Sequence, residues 1–277
     1  MTDPLPLGLC GWSLDRHDAA RAIEICGRDL QLPLIQIGLF GSEAVSRCDT
    51  QSLRAHFDGF GVSPCGVFVA FDNEDYSSIA SIAATGGLAT DEFPVRRELV
   101  RRAAGIAAEL GAGSVAIHVG TIPRYKTSDA FARLADHTRG VAMTVEAAGS
   151  RLLLETGREP AETLLAFFDA VGPVSFGVNF DPANFIIYGT DEPASAAAKL
   201  RGRIDLVHLK DAARSPQPGV AFGKPAPFGA GDVQIARVVS KLRAGGYQGP
   251  LLLEIDARDG NLQPLQCAIE DLRKMLH

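Results

Sequence analysis

Short apolar runs recur along the chain, and most lead into a stretch with the composition of a helix. The runs are residues 5–10, 34–39, 66–71, 114–119, 152–155, 175–180, 204–209 and 251–255. Most are too continuous to be strands with one wet face; strands of a parallel sheet, covered on both faces by helices, read this way. Between them, residues 91–110, 128–148, 159–171 and 232–244 are rich in helix formers and stop at Gly111, Gly149, Gly172 and Gly245. Glycine just past a helix supplies the left-handed conformation that closes its last turn. Strand and helix alternating throughout predict an α/β fold, one (β/α)₈ barrel of eight parallel strands over residues 1–277, with no composition shift or polar linker to mark a second domain.

Two stretches break the alternation. Residues 212–230, dense in proline and glycine, follow the seventh run, and residues 73–90 follow the third. Loops after barrel strands open on the face where such barrels hold their sites, so the first can help enclose a ligand and the second can act as a lid, with surface decoration as the plain alternative for both.

Composition narrows the function. The chain has 277 residues, 46% of them hydrophobic and 22% charged, which suits a large globular core. Its net charge is −6, from 27 basic and 33 acidic side chains, and no basic patch stands out, which weighs against nucleic acid as a partner. No run approaches the roughly 20 apolar residues of a membrane span. Met1-Thr2-Asp3-Pro4 shows no secretory pattern, and Cys10, Cys26, Cys48, Cys65 and Cys267 form no C-x-x-C pair, so reduced thiols in a cytoplasmic protein are expected.

Four acidic or imidazole side chains stand at the ends of apolar runs. Glu155 closes Leu152-Leu153-Leu154, Asp181 closes Val178-Asn179-Phe180, His208 follows Leu206-Val207, and Glu254 closes Leu251-Leu252-Leu253. They lie 26, 27 and 46 residues apart. About 250 residues shared by eight units gives about 31 per unit, so two intervals match one unit each and the third matches a unit carrying the long loop. An ionised carboxylate at the end of a buried strand is costly unless paired or metal-bound. Three carboxylates and one imidazole converging on the barrel mouth suit one divalent metal ion, Mn²⁺, Mg²⁺, Co²⁺ or Zn²⁺. His118 ends the fourth run, so its ring should face the mouth, toward substrate or in a structural hydrogen bond. Lys210 and Asp211 follow His208; one of them can orient the imidazole or touch substrate, and an ion pair behind the ligands fits equally. Trp12 and Phe40 follow the first two runs and can stack on a flat ligand face or simply pack. His17, His56 and His137 fall in or near helical segments and read as surface residues.

From about Ser114 to Glu254 the chain resembles the xylose isomerase-like TIM barrels, the sugar phosphate isomerase/epimerase family. The motifs are Leu152-Leu153-Leu154-Glu155, Asn179-Phe180-Asp181-Pro182-Ala183-Asn184, Val207-His208-Leu209-Lys210-Asp211, Gly229-Ala230-Gly231-Asp232 and Gly245-Gly246-Tyr247. The resemblance implies that Glu155, Asp181, His208 and Glu254 bind one metal ion and that Glu155 and Glu254 double as acid and base. Arg214, six residues after His208, matches an arginine that contacts substrate in the family's ketose 3-epimerases, with a solvated loop arginine as the plain alternative. Two positions depart from the epimerase pattern. Asn184 stands where those enzymes usually carry a histidine; it can hydrogen-bond a hydroxyl but cannot shuttle a proton at neutral pH. Gly229-Ala230-Gly231 stands where glycine–glutamate–glycine is common.

The implied activity is a metal-dependent isomerase or epimerase on a sugar or keto-sugar, transferring a proton through an enediolate that the metal stabilises. A lyase or dehydratase on an oxidised sugar or related polyol would use the same site and expel a leaving group instead. An apurinic endonuclease shares the fold but uses three zinc ions and more histidines. A barrel that only binds a ligand is opposed by the intact ligand set. The expected partner is a small-molecule sugar, with no nucleic acid and no membrane; a homo-oligomer is compatible with all of these.

Overall fold

The computed structural model describes residues 5–276. Met1-Thr2-Asp3-Pro4, on which the expectation about a secretory signal rests, lies outside them. Among the described residues ten strands form: β1 (Leu7–Cys10), β2 (Leu34–Phe40), β3 (Ser63–Ala70), β4 (Ser114–Ile117), β5 (Arg151–Glu155), β6 (Phe176–Phe180), β7 (Ile204–Leu209), β8 (Asp211–Ala213), β9 (Lys224–Ala226) and β10 (Leu251–Leu253). Eight close into a barrel in the order β1-β10-β7-β6-β5-β4-β3-β2, every pair parallel. β8 and β9 form a separate antiparallel hairpin. The predicted barrel is therefore present, with each of its eight strands overlapping one of the eight apolar runs.

The long helices lie where composition put them: Phe93–Leu110, Asp129–Ala147, Ala161–Val171 and Ile235–Ala244. Each starts one to three residues later than expected, and the residues left before their starts go to caps and turns. Ser128, for example, accepts a hydrogen bond from the Phe131 N–H and stands before its helix rather than in it. Among the described residues no helix is long and apolar enough to cross a membrane.

Side chains alternate across each barrel strand. Leu9, Ile35, Val67, Ile117, Leu154, Phe180, Val207 and Leu251 point outward into the layer shared with the helices. Cys10, Phe68, Ala116, Leu153, Leu206 and Leu252 point inward and pack against one another in the barrel's centre. Space there is tight: a Cβ on Gly8 would come within 2.6 Å of the Leu252 side chain. Deleting a packed interior group such as Leu153 would cost about 2–5 kcal/mol.

This alternation places the chemistry. The residue two positions beyond an inward apolar residue points into the same interior, one layer nearer the mouth. His118 thus follows Ala116, Glu155 follows Leu153, His208 follows Leu206, and Glu254 follows Leu252. Asp181 stands in the same phase, two beyond the inward Asn179. β4 and β10 end two residues earlier than predicted, at Ile117 and Leu253, leaving His118 and Glu254 one residue past them. The Glu254 N–H still donates to the Leu209 carbonyl (2.9 Å), which holds its backbone beside β7.

The two irregular stretches are both tied to the barrel by hydrogen bonds. After β3, a short helix (Ile79–Thr85) forms, and the excursion is tied back by Gly87 N–H to Glu74 (2.8 Å) and Leu88 N–H to the Val119 carbonyl (2.8 Å). After β7, the β8–β9 hairpin packs on the helix Pro182–Tyr188 through Gly223 N–H to the Ile187 carbonyl (2.7 Å).

Candidate metal centre and active site

Glu155, Asp181, His208 and Glu254 each bring one ligand-type atom into a group lying within 4.8 Å of one another. His208 Nδ1 is 3.2 Å from Glu155 Oε1 and 3.6 Å from Glu254 Oε2. Asp181 divides its oxygens. Oδ1 caps the helix Pro182–Tyr188, accepting from the Ala183 N–H (2.9 Å) and the Asn184 N–H (3.3 Å). Oδ2 faces the group and meets Lys210 Nζ at 2.7 Å. The same ammonium meets Glu254 Oε2 at 2.9 Å.

The electrostatics describe a cluster that attracts positive charge. Burial opposes ionisation of Glu155, but His118 and His208 outweigh it and hold the carboxyl well below its usual range. Burial pushes Asp181 up to about 6 against the pull of Lys210, with Glu254 and Glu155 adding to the rise. Burial works against charge on Lys210 and His208 too, yet the surrounding carboxylates raise both. The donor set fits a divalent cation on this ground: three carboxylates crowd one small volume, and the Lys210 ammonium already bridges two of them. Cys10 also lies beside His208 and Glu254. Burial, then Glu254 and Glu155, push its thiol well above the usual range.

The imidazole is oriented from the opposite side of the barrel. His208 Nε2 lies 2.6 Å from Gln36 Oε1, and the Asn179 amide packs 3.2–3.3 Å from the ring nitrogens. A proton on Nε2 donated to Gln36 leaves Nδ1 free for the cluster. Neither Lys210 nor Asp211 does this. Asp211 instead accepts the N–H groups of Ala212, Gly229, Gly231 and Val233 at 2.9–3.2 Å, and so gathers the loop after β7 onto one buried carboxylate. A Cβ on Gly231 would collide with that carboxylate, which explains the second glycine of Gly229-Ala230-Gly231.

Above the cluster opens a cleft of about 540 Å³, within the usual range for small-molecule sites. Of the residues expected to touch substrate, His118, Asn184 and Lys210 line it. His118 Nε2 is 3.0 Å from Glu155 Oε2, and Asn184 Nδ2 donates to the Thr156 carbonyl at 3.1 Å. Arg214 is not brought in. It forks onto Glu192 at 2.7 and 2.8 Å on the surface, because it is the first residue of the loop that leaves β8 and turns back into β9. Trp12 and Phe40 line the cleft as well; Trp12 Nε1 donates to Glu254 Oε1 at 3.0 Å. His17, His56 and His137 stay outside it, the last stacked on Phe93 with 3.5 Å between ring centres.

Sequence reasoning missed Gln36 and the role of Asn179, and it missed Arg16, Phe68, Tyr76, Tyr188, Phe222 and Arg258 in the cleft wall. Gln36 carried a usable signal: it is the one polar residue inside Leu34-Ile35-Gln36-Ile37-Gly38-Leu39-Phe40, at an inward-pointing position.

A family model described as xylose isomerase-like TIM barrel matches residues 19–276. The chain belongs to the xylose isomerase-like TIM barrel family. A xylose isomerase domain protein from Planctomyces limnophilus is 30% identical, with 91% of each chain covered and a TM-score of 0.86. More distant members of this architecture include a D-allulose 3-epimerase from Methylomonas sp., 16% identical over 99% of both chains with a TM-score of 0.72. A xylose isomerase-like barrel from Mycobacterium smegmatis, solved in complex with magnesium, is 16% identical, with 96% of this chain and 98% of that one covered and a TM-score of 0.67. No curated protein matches the chain.

Proposed function

We propose that this family member is a metal-dependent isomerase or epimerase of a sugar or keto-sugar. The observation that carries the reading is the joint position of Glu155 and Glu254. Both belong to a compact four-residue ligand set, both line the cleft, and they come from β5 and from just past β10, strands separated around the barrel by β6 and β7. Two carboxylates that reach one substrate from different sides can remove a proton beside a carbonyl and return one elsewhere. The chemistry of solved barrels of this architecture, among them D-allulose and L-ribulose 3-epimerases, supports the same class.

Glu155, Asp181, His208 and Glu254 would hold one divalent ion, which would polarise the substrate carbonyl and ease loss of the neighbouring proton. Glu254 is held by the Trp12 N–H on one oxygen and by Lys210 on the other, so its carboxylate keeps one orientation. Glu155 is backed by His118, which also faces the cleft, so a proton taken by that pair stays within reach of substrate. Asn184 offers an amide to a substrate hydroxyl and leaves proton transfer to the two glutamates.

The test is solvent exchange. Incubated in D₂O with Mn²⁺ and a panel of ketoses, the protein should place deuterium on the carbon beside the carbonyl and conserve substrate mass otherwise. Loss of water from the substrate would instead identify a lyase. Transfer of label between adjacent carbons with no solvent uptake would contradict the two-glutamate scheme.

A further inference from the structure

The cleft wall holds one cation that the proton-transfer chemistry does not use. Three cationic side chains line it: Arg16, Lys210 and Arg258. Lys210 is neutralised by Asp181 and Glu254. Arg258 forks onto Asp256, itself in the cleft wall. Arg16 has no carboxylate partner among the described residues. Asp15, its neighbour in the chain, spends one oxygen on the His17 and Asp18 N–H groups (2.8 and 2.9 Å). With a dication present, Glu155, Asp181 and Glu254 would be balanced by that ion and Lys210, leaving Arg16 uncompensated.

Arg16 is exposed, but its guanidinium is seated on the wall of the cleft. Its guanidinium lies 4.2 Å from the centre of the Phe40 ring. Phe40 meets Trp12 edge-on at 5.9 Å, and Trp12 donates to Glu254. Glutamate, indole, phenyl ring and guanidinium therefore form one continuous wall, with the reacting end at one side and the Arg16 cation at the other. Across the cleft, Arg158 sits 5.9 Å from the rings of Tyr76 and Tyr188, and its Nε and Nη2 have no hydrogen-bond partner among the described residues. It does not reach the cleft but adds positive potential behind two of its lining rings.

We infer that the substrate carries an anionic group, a carboxylate or a phosphate, at the end remote from the glutamates, and that Arg16 binds it. This rests on the isomerase or epimerase reading and narrows its substrate to an acidic sugar. A guanidinium pre-set on an aromatic face suits either anion, because its planar fork matches both.

Calorimetric titration of the Mn²⁺-loaded full chain with D-fructose, D-fructuronate and D-fructose 6-phosphate tests it. At least one acid should bind about tenfold more tightly than fructose, the scale of one charge-assisted contact, and the tighter acid identifies the anion. In Arg16→Met, which keeps the stem on Phe40, the acid-to-neutral ratio should fall to near one, while Arg16→Lys should retain part of it. Fructose binding with no preference for either acid overturns the inference alone, as does a ratio that survives Arg16→Met. Absence of binding by all three probes, together with no deuterium uptake from solvent, overturns the isomerase reading and this inference with it.

Discussion

The two halves of the barrel rim differ in chemistry. β5, β6, β7 and β10 end in charged or imidazole groups, whereas β1, β2 and β3 supply Trp12, Gln36, Phe40 and Phe68, aromatic rings and one amide. The first half concentrates charge that buried strands do not ordinarily tolerate, and so it should govern metal binding and reaction. The second half offers faces and one orienting hydrogen bond, and so it should govern geometry and affinity. Gln36 is the exception that joins them, since it reaches across the interior to Nε2 of His208.

That contrast can be broken by substitution. In the charged half, Glu254→Gln keeps shape and the Trp12 hydrogen bond but removes the proton acceptor; turnover should fall by at least about 10²-fold, measured as solvent deuterium uptake. A variant with near-normal uptake would remove Glu254 from the chemistry. Gln36→Leu should act on the opposite half's behalf, weakening Mn²⁺ affinity by about 10- to 100-fold by freeing the imidazole it orients. Unchanged affinity in a calorimetric titration would reduce Gln36 to a packing residue. Phe40→Ala should have the smallest effect, raising KM by about 3- to 10-fold through loss of one stacking face and leaving metal content intact. A loss of metal in Phe40→Ala would erase the distinction between the halves.

The same contrast explains what could be read from the sequence. Strands buried on both faces leave unbroken apolar runs, and a carboxylate ending such a run is an electrostatic anomaly visible without coordinates; Glu155, Asp181, His208 and Glu254 were legible for that reason. Gln36 was legible in principle, as one amide inside an apolar strand, but a single polar residue there is also compatible with a bulge or an edge. Tyr76, Tyr188 and Phe222 were not legible, because they reach the cleft from an excursion, a short helix and a hairpin whose paths no periodicity encodes. Arg214 shows the converse: its spacing from His208 fits a substrate contact, but spacing does not reveal that β8 and β9 pair and turn it toward Glu192. Asp211, open between several roles, turned out to organise a loop because four N–H groups converge on it, a fact of three-dimensional path alone.

The central claim, one divalent ion held by four side chains, is tested most directly by titrating Mn²⁺ into chelator-treated protein and into Asp181→Asn. Asparagine keeps the oxygen that caps Pro182–Tyr188, so the fold should survive while the ligand is lost. The account predicts about one equivalent bound by the natural chain and none bound with comparable affinity by the variant. Equal binding by both proteins, or three equivalents of zinc recovered from the natural chain, would contradict it.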